Sequence, residues 1–258
     1  MGTDIHPICE VKENGKWRRN IDKIFPNPYY YYLQEMIKKD PNYKIPSFLK
    51  DDLNQPLKET PESNRNYDKF AILANVRNGV GFAGVETGRG FEPMSNYRGF
   101  PEDVDEEYKE EYGDWTHSHT WVDLNDIKNY NWDRMTIKSG VITLEQYKKL
   151  RDPFSKHNTK TPETWSGGVG GGNNITISME EADKVLNGQL TELTRVTEYF
   201  REEESETKHI SEWDINVQYK WYITYKEWFK SLFKDWIEPI KELGKKYEDV
   251  RIVMSFDS

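Results

Sequence analysis

Imidazole and carboxylate side chains, which could do chemistry, occur together in two short clusters. Asp4-Ile5-His6 lies at the N-terminus and Asp114-Trp115-Thr116-His117-Ser118-His119-Thr120-Trp121 lies near the middle, and together they hold three of the five histidines. In D-x-H and H-x-H spacing both side chains point to one face of an extended strand, because strand side chains alternate with period two. The spacing therefore predicts that Asp4, His6, His117 and His119 are catalytic residues carried by β-strands.

Imidazoles and carboxylates are also metal ligands. A bound Zn²⁺ or Mn²⁺ can lower the pKa of a water towards about 7 and polarise a phosphoryl oxygen. The expected ligands are Asp4, His6 and His119, with His117, Asp114 and Asp257 as alternatives. One site can form only if the two strands are adjacent, and its chemistry would be metal-dependent phosphoester hydrolysis.

A second set of residues suits a phosphate-bearing ligand. Arginine offers a bidentate fork to phosphate, and an aromatic ring can stack on a nucleobase. The candidate ligand-binding residues are Arg65, Tyr67, Arg77, Asn78, Arg98 and Trp121. They support sequestration of a nucleotide without catalysis as the alternative to hydrolysis. Inhibition of another protein through an exposed aromatic surface is a third hypothesis.

The composition limits the classes of partner. A net charge of −9 argues against binding to long DNA or RNA, which requires Lys and Arg to neutralise phosphates. No apolar stretch approaches the ~20 residues of a membrane span, and no signal peptide is evident. The single cysteine, Cys9, fits a reducing interior. We therefore expect a cytosolic protein, with its oligomeric state left open.

A sheet and helices must position these side chains. The alternation from Asp4 to Val11 and the Asn14-Gly15 turn predict an N-terminal β-hairpin. Apolar spacing predicts a short helix over 67–76, with Asn66 as its N-cap and Gly79 as its C-terminal glycine. The run 79–84 matches G-x-G-x-x-G, but it follows a helix where a dinucleotide fingerprint follows a strand, so we interpret it as a loop.

Later segments complete the predicted fold. Thr143 and Ser178 open helices with capping boxes, and Asp123 or Thr120 caps another. Apolar residues at helical spacing predict a long amphipathic helix over 213–243, and a buried strand closes the chain at 250–257.

Other segments are expected to form loops. Residues 102–114 predict a solvated acidic connector. The glycine-dense run 166–173 predicts a flexible loop, a closing flap or an anion-binding nest. We predict one α+β domain over residues 1–258, with a mixed or antiparallel sheet packed against helices and a Pro-rich surface insertion at about 40–64.

Several motifs resemble those of a family of proteins encoded by bacteriophages and prophages. They are Met1-Gly2-Thr3-Asp4-Ile5-His6, Asn64-Arg65-Asn66-Tyr67, Phe70-Ala71-Ile72-Leu73-Ala74-Asn75-Val76-Arg77-Asn78-Gly79, Gly81-Phe82-Ala83-Gly84-Val85, Arg98-Gly99-Phe100-Pro101-Glu102-Asp103, His117-Ser118-His119-Thr120-Trp121, Gly167-Gly168-Val169 and Asp249-Val250-Arg251-Ile252-Val253. The resemblance implies a phage accessory protein in the host cytosol, with counter-defence against a host protein or nucleotide signal as its expected role. It supplies no reaction, so metal-dependent hydrolysis of a small phosphate-bearing ligand stays the first hypothesis on the residues alone.

Overall fold

A computed structural model describes residues 2–62, 65–81, 84, 86, 90–154, 158–166, 173–199 and 202–257. Contacts divide the chain into two compact units, each described here by itself: unit 1 comprises residues 1–131 and 229–258, and unit 2 comprises residues 132–228. The predicted α+β class is confirmed, and the single-domain interpretation stays a prediction. The glycine-rich residues 167–172 lie outside the described part of the chain.

The elements follow one another along the chain in mixed order. The strands are β1 Ile5–Glu13, β2 Lys16–Arg19, β3 Phe25–Pro26, β4 Leu57–Lys58, β5 His117–Asp123, β6 Met135–Thr143, β7 Asn174–Ser178, β8 Glu192–Tyr199, β9 Glu202–His209, β10 Asp214–Thr224 and β11 Asp249–Phe256. The α-helices are α1 Pro28–Lys39, α2 Tyr67–Ala74, α3 Glu106–Tyr112, α4 Leu124–Asn129, α5 Leu144–Leu150, α6 Met179–Leu186, α7 Tyr225–Trp228, α8 Lys230–Leu232 and α9 Glu238–Leu243. Short 3₁₀ turns at Ser47–Leu49, Asp51–Asn54 and Ile210–Glu212 and a π turn at Phe233–Ile237 complete the described elements.

The core of unit 1 is an antiparallel sheet with the strand order β2-β1-β11-β5. Asn14 and Gly15 have φ values of 52° and 74°, the positive values that a type I′ turn requires, so the predicted hairpin is confirmed. β11 is buried from Val250 to Phe256, as its apolar run predicts for a strand covered on both faces. Because β11 lies between β1 and β5, both chemistry-bearing clusters lie beside the same central strand.

Capping side chains begin the helices where the sequence predicts. The side chains of Asn66, Asp123, Thr143 and Ser178 each accept a hydrogen bond from an N–H in the first turn of the helix that follows, and Asp123 rather than Thr120 caps α4. The predicted end of α2 at Gly79 is wrong. Asn75 closes the helix in the left-handed conformation, which Asn tolerates better than most residues.

Two segments of unit 1 contain more structure than the sequence indicates. The acidic segment predicted to be a solvated connector contains α3, and Tyr108 on that helix is buried. Between α1 and α2, residues Leu57–Lys58 pair with β3, and Leu49 is buried although the segment is Pro-rich. In both places one large apolar side chain packs into the core, and composition averages hide such a residue.

Unit 2 is built on a sheet with the order β6-β10-β7. β10 is antiparallel to β6 and parallel to β7, and β8 and β9 form a separate hairpin. Its core is rich in aromatic rings, as the composition predicts, and includes Tyr147, Trp213, Tyr219 and Trp221.

The long helix expected over 213–243 is wrong in its first third. Residues Asp214–Thr224 form β10, and helical structure begins only at Tyr225. Val217 and Trp221 are four residues apart, which fits a helix, but Tyr219 and Ile223 are buried as well and complete a period of two. The apolar residues therefore fit both the helical spacing and the strand period of two. Pairing with β6 and β7 makes this segment a strand. No helix in the described part of the chain is long and apolar enough to cross a membrane.

Candidate functional site

The N-terminal residues are fastened to two arginines. The Asp4 carboxylate accepts two hydrogen bonds from the Arg65 guanidinium, at 2.9 Å and 2.5 Å. Arg77 Nε donates to the Thr3 hydroxyl at 2.9 Å, and the Thr3 N–H donates to the Tyr67 hydroxyl at 3.3 Å. We call Gly2–Asp4 with Arg65, Tyr67 and Arg77 the N-terminal clasp.

Gly2 lies close to the guanidinium of Arg65. A Cβ added there would lie 2.4 Å from the nearer terminal nitrogen of Arg65, closer than any real contact. Arg65 therefore lies directly on the N-terminal backbone. Thr3 and Asp4 of the opening motif thus each hydrogen-bond to a residue of the clasp.

A pocket of about 320 Å³ opens beside the clasp. It is lined by Arg65, Asn66, Tyr67, Asp68, Ala71, Arg77, Gly79, Val80 and Gly81. We call it the arginine pocket. It contains three of the six residues predicted to bind a ligand, so the structure brings together Arg65, Tyr67 and Arg77.

Local backbone geometry places Arg77 in this pocket. After α2 the chain turns back, and Asn75 and Arg77 both have positive φ, at 59° and 55°. Such values are uncommon for residues other than glycine, and for Arg77 they direct the side chain back towards the start of α2. Its guanidinium lies 5.5 Å from the centroid of the Tyr67 ring. The arginine therefore sits near the positive N-terminal end of α2, although it follows that helix in sequence.

Asn78, which was predicted to bind a ligand, makes its hydrogen bonds within the protein. Its side-chain amide donates to the Asn75 side chain at 2.8 Å and to the Phe91 carbonyl at 2.6 Å, and its oxygen accepts from the Phe91 N–H at 2.7 Å. With its hydrogen bonds directed to these groups, Asn78 fixes the turn after α2 to the chain near residue 91.

His6 on β1 is paired with Asp257, the residue that follows the neighbouring strand β11. Its Nε2 lies 3.2 Å from Asp257 Oδ2, its ring stacks on Tyr112 at 4.8 Å, and Trp115 packs edge-on at 5.3 Å. A carboxylate that orients an imidazole occurs in general-base dyads. Within the described residues, however, no hydroxyl or thiol hydrogen-bonds to the His6 ring, and the ring contacts instead tie β1 to the residue that follows β11.

His119 belongs to a buried chain of hydroxyl groups. Its Nδ1 lies 3.1 Å from the Ser255 hydroxyl, which is 3.0 Å from the Tyr108 hydroxyl, and Tyr108 donates to the His6 carbonyl at 2.5 Å. Phe100 stacks on the His119 ring at 4.1 Å. Burial lowers the pKa of His119, with the nearby His117 adding to the effect. The His119 ring thus contacts a hydroxyl of the core and is stacked on an aromatic ring.

The H-x-H spacing does not act as a simple strand repeat. Ser118 has a φ of 56°, and the register between β5 and β11 shifts at this point. His117 is exposed and its Nδ1 contacts the Ser118 hydroxyl at 2.7 Å. The irregularity interrupts the period of two on which the prediction for His117 and His119 rested.

Arg98 and Trp121 form a separate cluster in unit 1. Arg98 donates to both carboxylate oxygens of Asp126, at 2.6 Å and 2.9 Å, and its guanidinium lies 4.7 Å from the Trp121 ring centroid. Because Asp126 also belongs to the capping box of α4, Arg98 fastens the preceding segment to the start of that helix. Neither residue lines the arginine pocket.

The predicted metal ligands have different partners. Asp4 is bound by Arg65, His6 by Asp257 and His119 by Ser255. Within the ranges described by the structure, no group of three or more His, Cys, Asp or Glu side chains is arranged to hold a metal ion. The Zn²⁺ or Mn²⁺ site that the spacing predicts therefore stays a prediction, and in this arrangement each of its three side chains is directed to another partner.

Sequence reasoning missed several residues of these clusters. Thr3, Tyr108, Tyr112 and Ser255 contact the predicted residues, yet only the four-residue spacing of Tyr108 and Tyr112 marks a helix face in advance. Comparisons of the chain with protein-family models, with curated proteins and with solved structures gave no match.

Proposed function

We propose that this protein binds a small phosphate-bearing ligand of nucleotide size in the arginine pocket and sequesters it without cleaving it. The carrying observation is that Arg65 and Arg77 line one pocket, together with the ring of Tyr67. Two guanidinium groups that converge on one concave surface are the usual protein solution for binding phosphate. The volume of about 320 Å³ lies at the lower end of the range for small-ligand sites, about 300–1,000 Å³.

The partners of the two arginines support this proposal. Asp4 presents two carboxylate oxygens to Arg65 in the bidentate manner of a phosphate. The side chains of Asp4 and Arg65 are 43% and 48% exposed, so water screens their attraction and an incoming phosphate can replace the carboxylate. In the clasp, the Asp4 carboxylate thus occupies the position on Arg65 that a phosphate would take.

The rest of the pocket favours a ligand that carries more than phosphate. Asn66 and Asp68 supply polar groups at one side, and an aspartate accepts hydrogen bonds from hydroxyl or amino groups. The Asp68 carboxylate would also repel a second phosphate group of the ligand. A sugar phosphate or mononucleotide therefore suits the pocket better than a polyanion does.

Binding is favoured over hydrolysis by the positions of the predicted catalytic residues. His119 contacts core hydroxyls, and His6 is paired with Asp257. Neither of them lines the arginine pocket. A phosphate held by Arg65 and Arg77 in this pocket would therefore not be lined by either imidazole.

Calorimetric titration with a panel of mononucleotides and with inorganic phosphate tests this proposal. Arg65→Ala and Arg77→Ala should each weaken binding by about tenfold or more, because each removes a charge-assisted contact to phosphate. Arg98→Ala is the matched control, since Arg98 is also paired with a carboxylate but lies outside the pocket, and it should leave the affinity unchanged. Equal loss in all three variants would show that the effect is structural.

Asp4→Asn separates the internal anion from the pocket itself. This variant removes the charge that competes for Arg65, so the affinity for the same nucleotide should rise several-fold. After incubation with wild-type protein, with and without added Zn²⁺ or Mn²⁺, mass spectrometry should recover the ligand intact. Conversion of the ligand only in the presence of metal would restore the hydrolysis hypothesis.

A phage accessory role is part of the proposal. A protein of the type that the motifs resemble could protect phage replication by lowering the concentration of a nucleotide signal in the host. A second candidate function, inhibition of a host defence protein, is favoured by exposed rings on α1 and the turn after it, where Tyr31, Tyr32 and Phe48 are 54%, 45% and 79% exposed. Tyr31→Ser with Phe48→Ser should abolish protection in infected cells only if this second candidate is correct.

A further inference from the structure

Three tryptophans of unit 2 surround one ammonium group. Lys138 Nζ lies 4.6 Å from the centroid of Trp165, 5.0 Å from that of Trp228 and 6.0 Å from that of Trp221. All three distances are within the range of cation–π attraction, and tryptophan is the side chain that attracts cations most strongly. We call Trp165, Trp221 and Trp228 the tryptophan cage.

The cage is assembled from separate elements of unit 2. Lys138 on β6 is the cross-strand neighbour of Trp221 on β10. Trp228 is the last residue of α7. Trp165 precedes Ser166, which forms a β-bridge to Val141 on β6. Gly140 makes room for it, because a Cβ at that position would lie 2.5 Å from the Trp165 ring. The chain therefore leaves the space beside β6 to an indole ring.

Trp221 forms the buried wall of the cage. It is fully buried, and its Nε1–H has no hydrogen-bond partner among the described residues. A buried donor without an acceptor costs free energy, and a phenylalanine would fill an apolar core without that cost. On its buried side the cage therefore presents an indole to Lys138, and indole is the aromatic ring that attracts cations most strongly.

The cage is open to solvent on one side, because Trp165 is 45% exposed. A lysine ammonium is a compact and strongly hydrated group with three N–H donors. A quaternary ammonium has no N–H to satisfy, and aromatic cages are its usual recognition site. The net charge of −9 also attracts cations to this protein.

We propose that the tryptophan cage binds a small quaternary ammonium ligand and that Lys138 occupies the cage in its absence. The ligand must displace the lysine ammonium, which can move into solvent because Lys138 is only partly buried. The site is separate from the arginine pocket and takes the opposite charge, so the two proposals can succeed or fail independently.

Titration of the full-length protein with choline, followed by NMR of the ¹⁵N-labelled tryptophan side chains, tests the proposal. Choline should shift the resonances of Trp165 and Trp228, whereas its neutral isostere 3,3-dimethyl-1-butanol should not. Lys138→Ala removes the internal competitor and should bind choline about tenfold or more tightly than wild type does. Trp165→Ala, which changes an exposed ring, should abolish the response.

Three outcomes would overturn the proposal. Equal responses to choline and the neutral isostere would indicate an apolar slot without cation selectivity. Sodium chloride at the same concentration producing the same shifts would indicate an ionic-strength effect. Lack of choline binding by both Lys138→Ala and Lys138→Gln, with thermal unfolding like that of wild type, would show that the cage only holds the lysine. Lys138→Gln serves as the second variant because it keeps a longer apolar stem over the rings.

Discussion

Single residues of the opening motif take part in different contacts, although they are adjacent in sequence. Thr3 and Asp4 bind the two arginines of the pocket, Ile5 is buried in the core, and His6 is paired with Asp257. A segment that begins as loop and continues as strand can divide its side chains in this way. The motif therefore joins a candidate binding site to the central sheet.

Lys69 is the most unusual charged residue of α2. Its side chain is almost fully buried, and its Nζ lies 4.5 Å from the centroid of Trp236. Burial lowers the pKa of Lys69 to about 8, and the charges of Glu62 and Asp235 oppose this effect only in part. Since the value in the unfolded chain is 10.5, the unfolded state binds more protons between these two pH values.

Lys69→Met should consequently stabilise the protein at pH 7. The shift from 10.5 to about 8 is equivalent to about 3 kcal/mol of destabilisation, and loss of the cation–π contact offsets part of the gain. Urea unfolding at pH 7 should therefore give a free energy of unfolding about 1–3 kcal/mol above wild type. The stability of wild type rises from pH 8 to 10.5, so the difference should shrink over that range. A variant that is less stable than wild type at pH 7 would contradict this account.

At the scale of elements, a buried ion pair connects β1 and β11 to the segment before α3. Arg251 Nε donates to Glu10 at 2.6 Å, and the same guanidinium donates to Asp103 at 2.8 Å. The Trp17 ring covers the guanidinium at 4.1 Å, and the Asp105 N–H donates to Glu10 at 2.8 Å. Burial raises the pKa of Glu10, while Arg251 opposes the shift.

Removal of one member of the Glu10–Arg251 pair should lower the free energy of unfolding more than removal of both members does. Arg251→Met leaves a buried carboxylate without its cation and should lower the free energy of unfolding by about 3–5 kcal/mol. Glu10→Leu combined with Arg251→Met removes both charges and should recover part of that loss. Urea unfolding of wild type, both single variants and the double variant measures the coupling. Arg18→Met is the control, because Arg18 pairs with the exposed Glu13 and its loss should change stability little. Strictly additive losses would show that the pair is not coupled.

At the scale of the whole molecule, the two units differ in how the chain builds them. Unit 2 is one continuous segment with its own aromatic core, whereas unit 1 needs both ends of the chain. β11 comes from the last ten residues and separates β1 from β5. The sheet of unit 1 therefore needs residues 249–256 to be complete.

Truncation should reveal this difference. Residues 132–228 expressed alone should unfold cooperatively on heating, because their core lies within the segment. Residues 1–248 should lose the fold of unit 1, since β5 would lose its neighbour in the sheet and β1 would keep only its short pairing with β2. Circular dichroism melting and amide hydrogen exchange distinguish the two cases. A fragment 132–228 that remains unfolded would show that unit 2 depends on the rest of the chain.

Local sequence patterns predicted those parts of the fold that local interactions determine. The Asn14-Gly15 turn, the side-chain caps of α2, α4, α5 and α6, and the apolar run of β11 all depend on residues within a few positions of each other. Three of the six predicted ligand-binding residues, Arg65, Tyr67 and Arg77, line one pocket. Their joint function stays a prediction.

Only the tertiary structure decided the features that depend on distant contacts. Pairing with β6 and β7 made 214–224 a strand, although its apolar spacing also fits a helix. Asp4 and Arg65 are 61 positions apart, and Thr3 and Arg77 are 74 apart, so no local pattern could place them in one clasp. The same holds for His119, whose spacing suggests a metal ligand but whose neighbours across β11 are core hydroxyls. A residue type sets the chemistry that is available, and the partners that folding brings to it decide which chemistry is used.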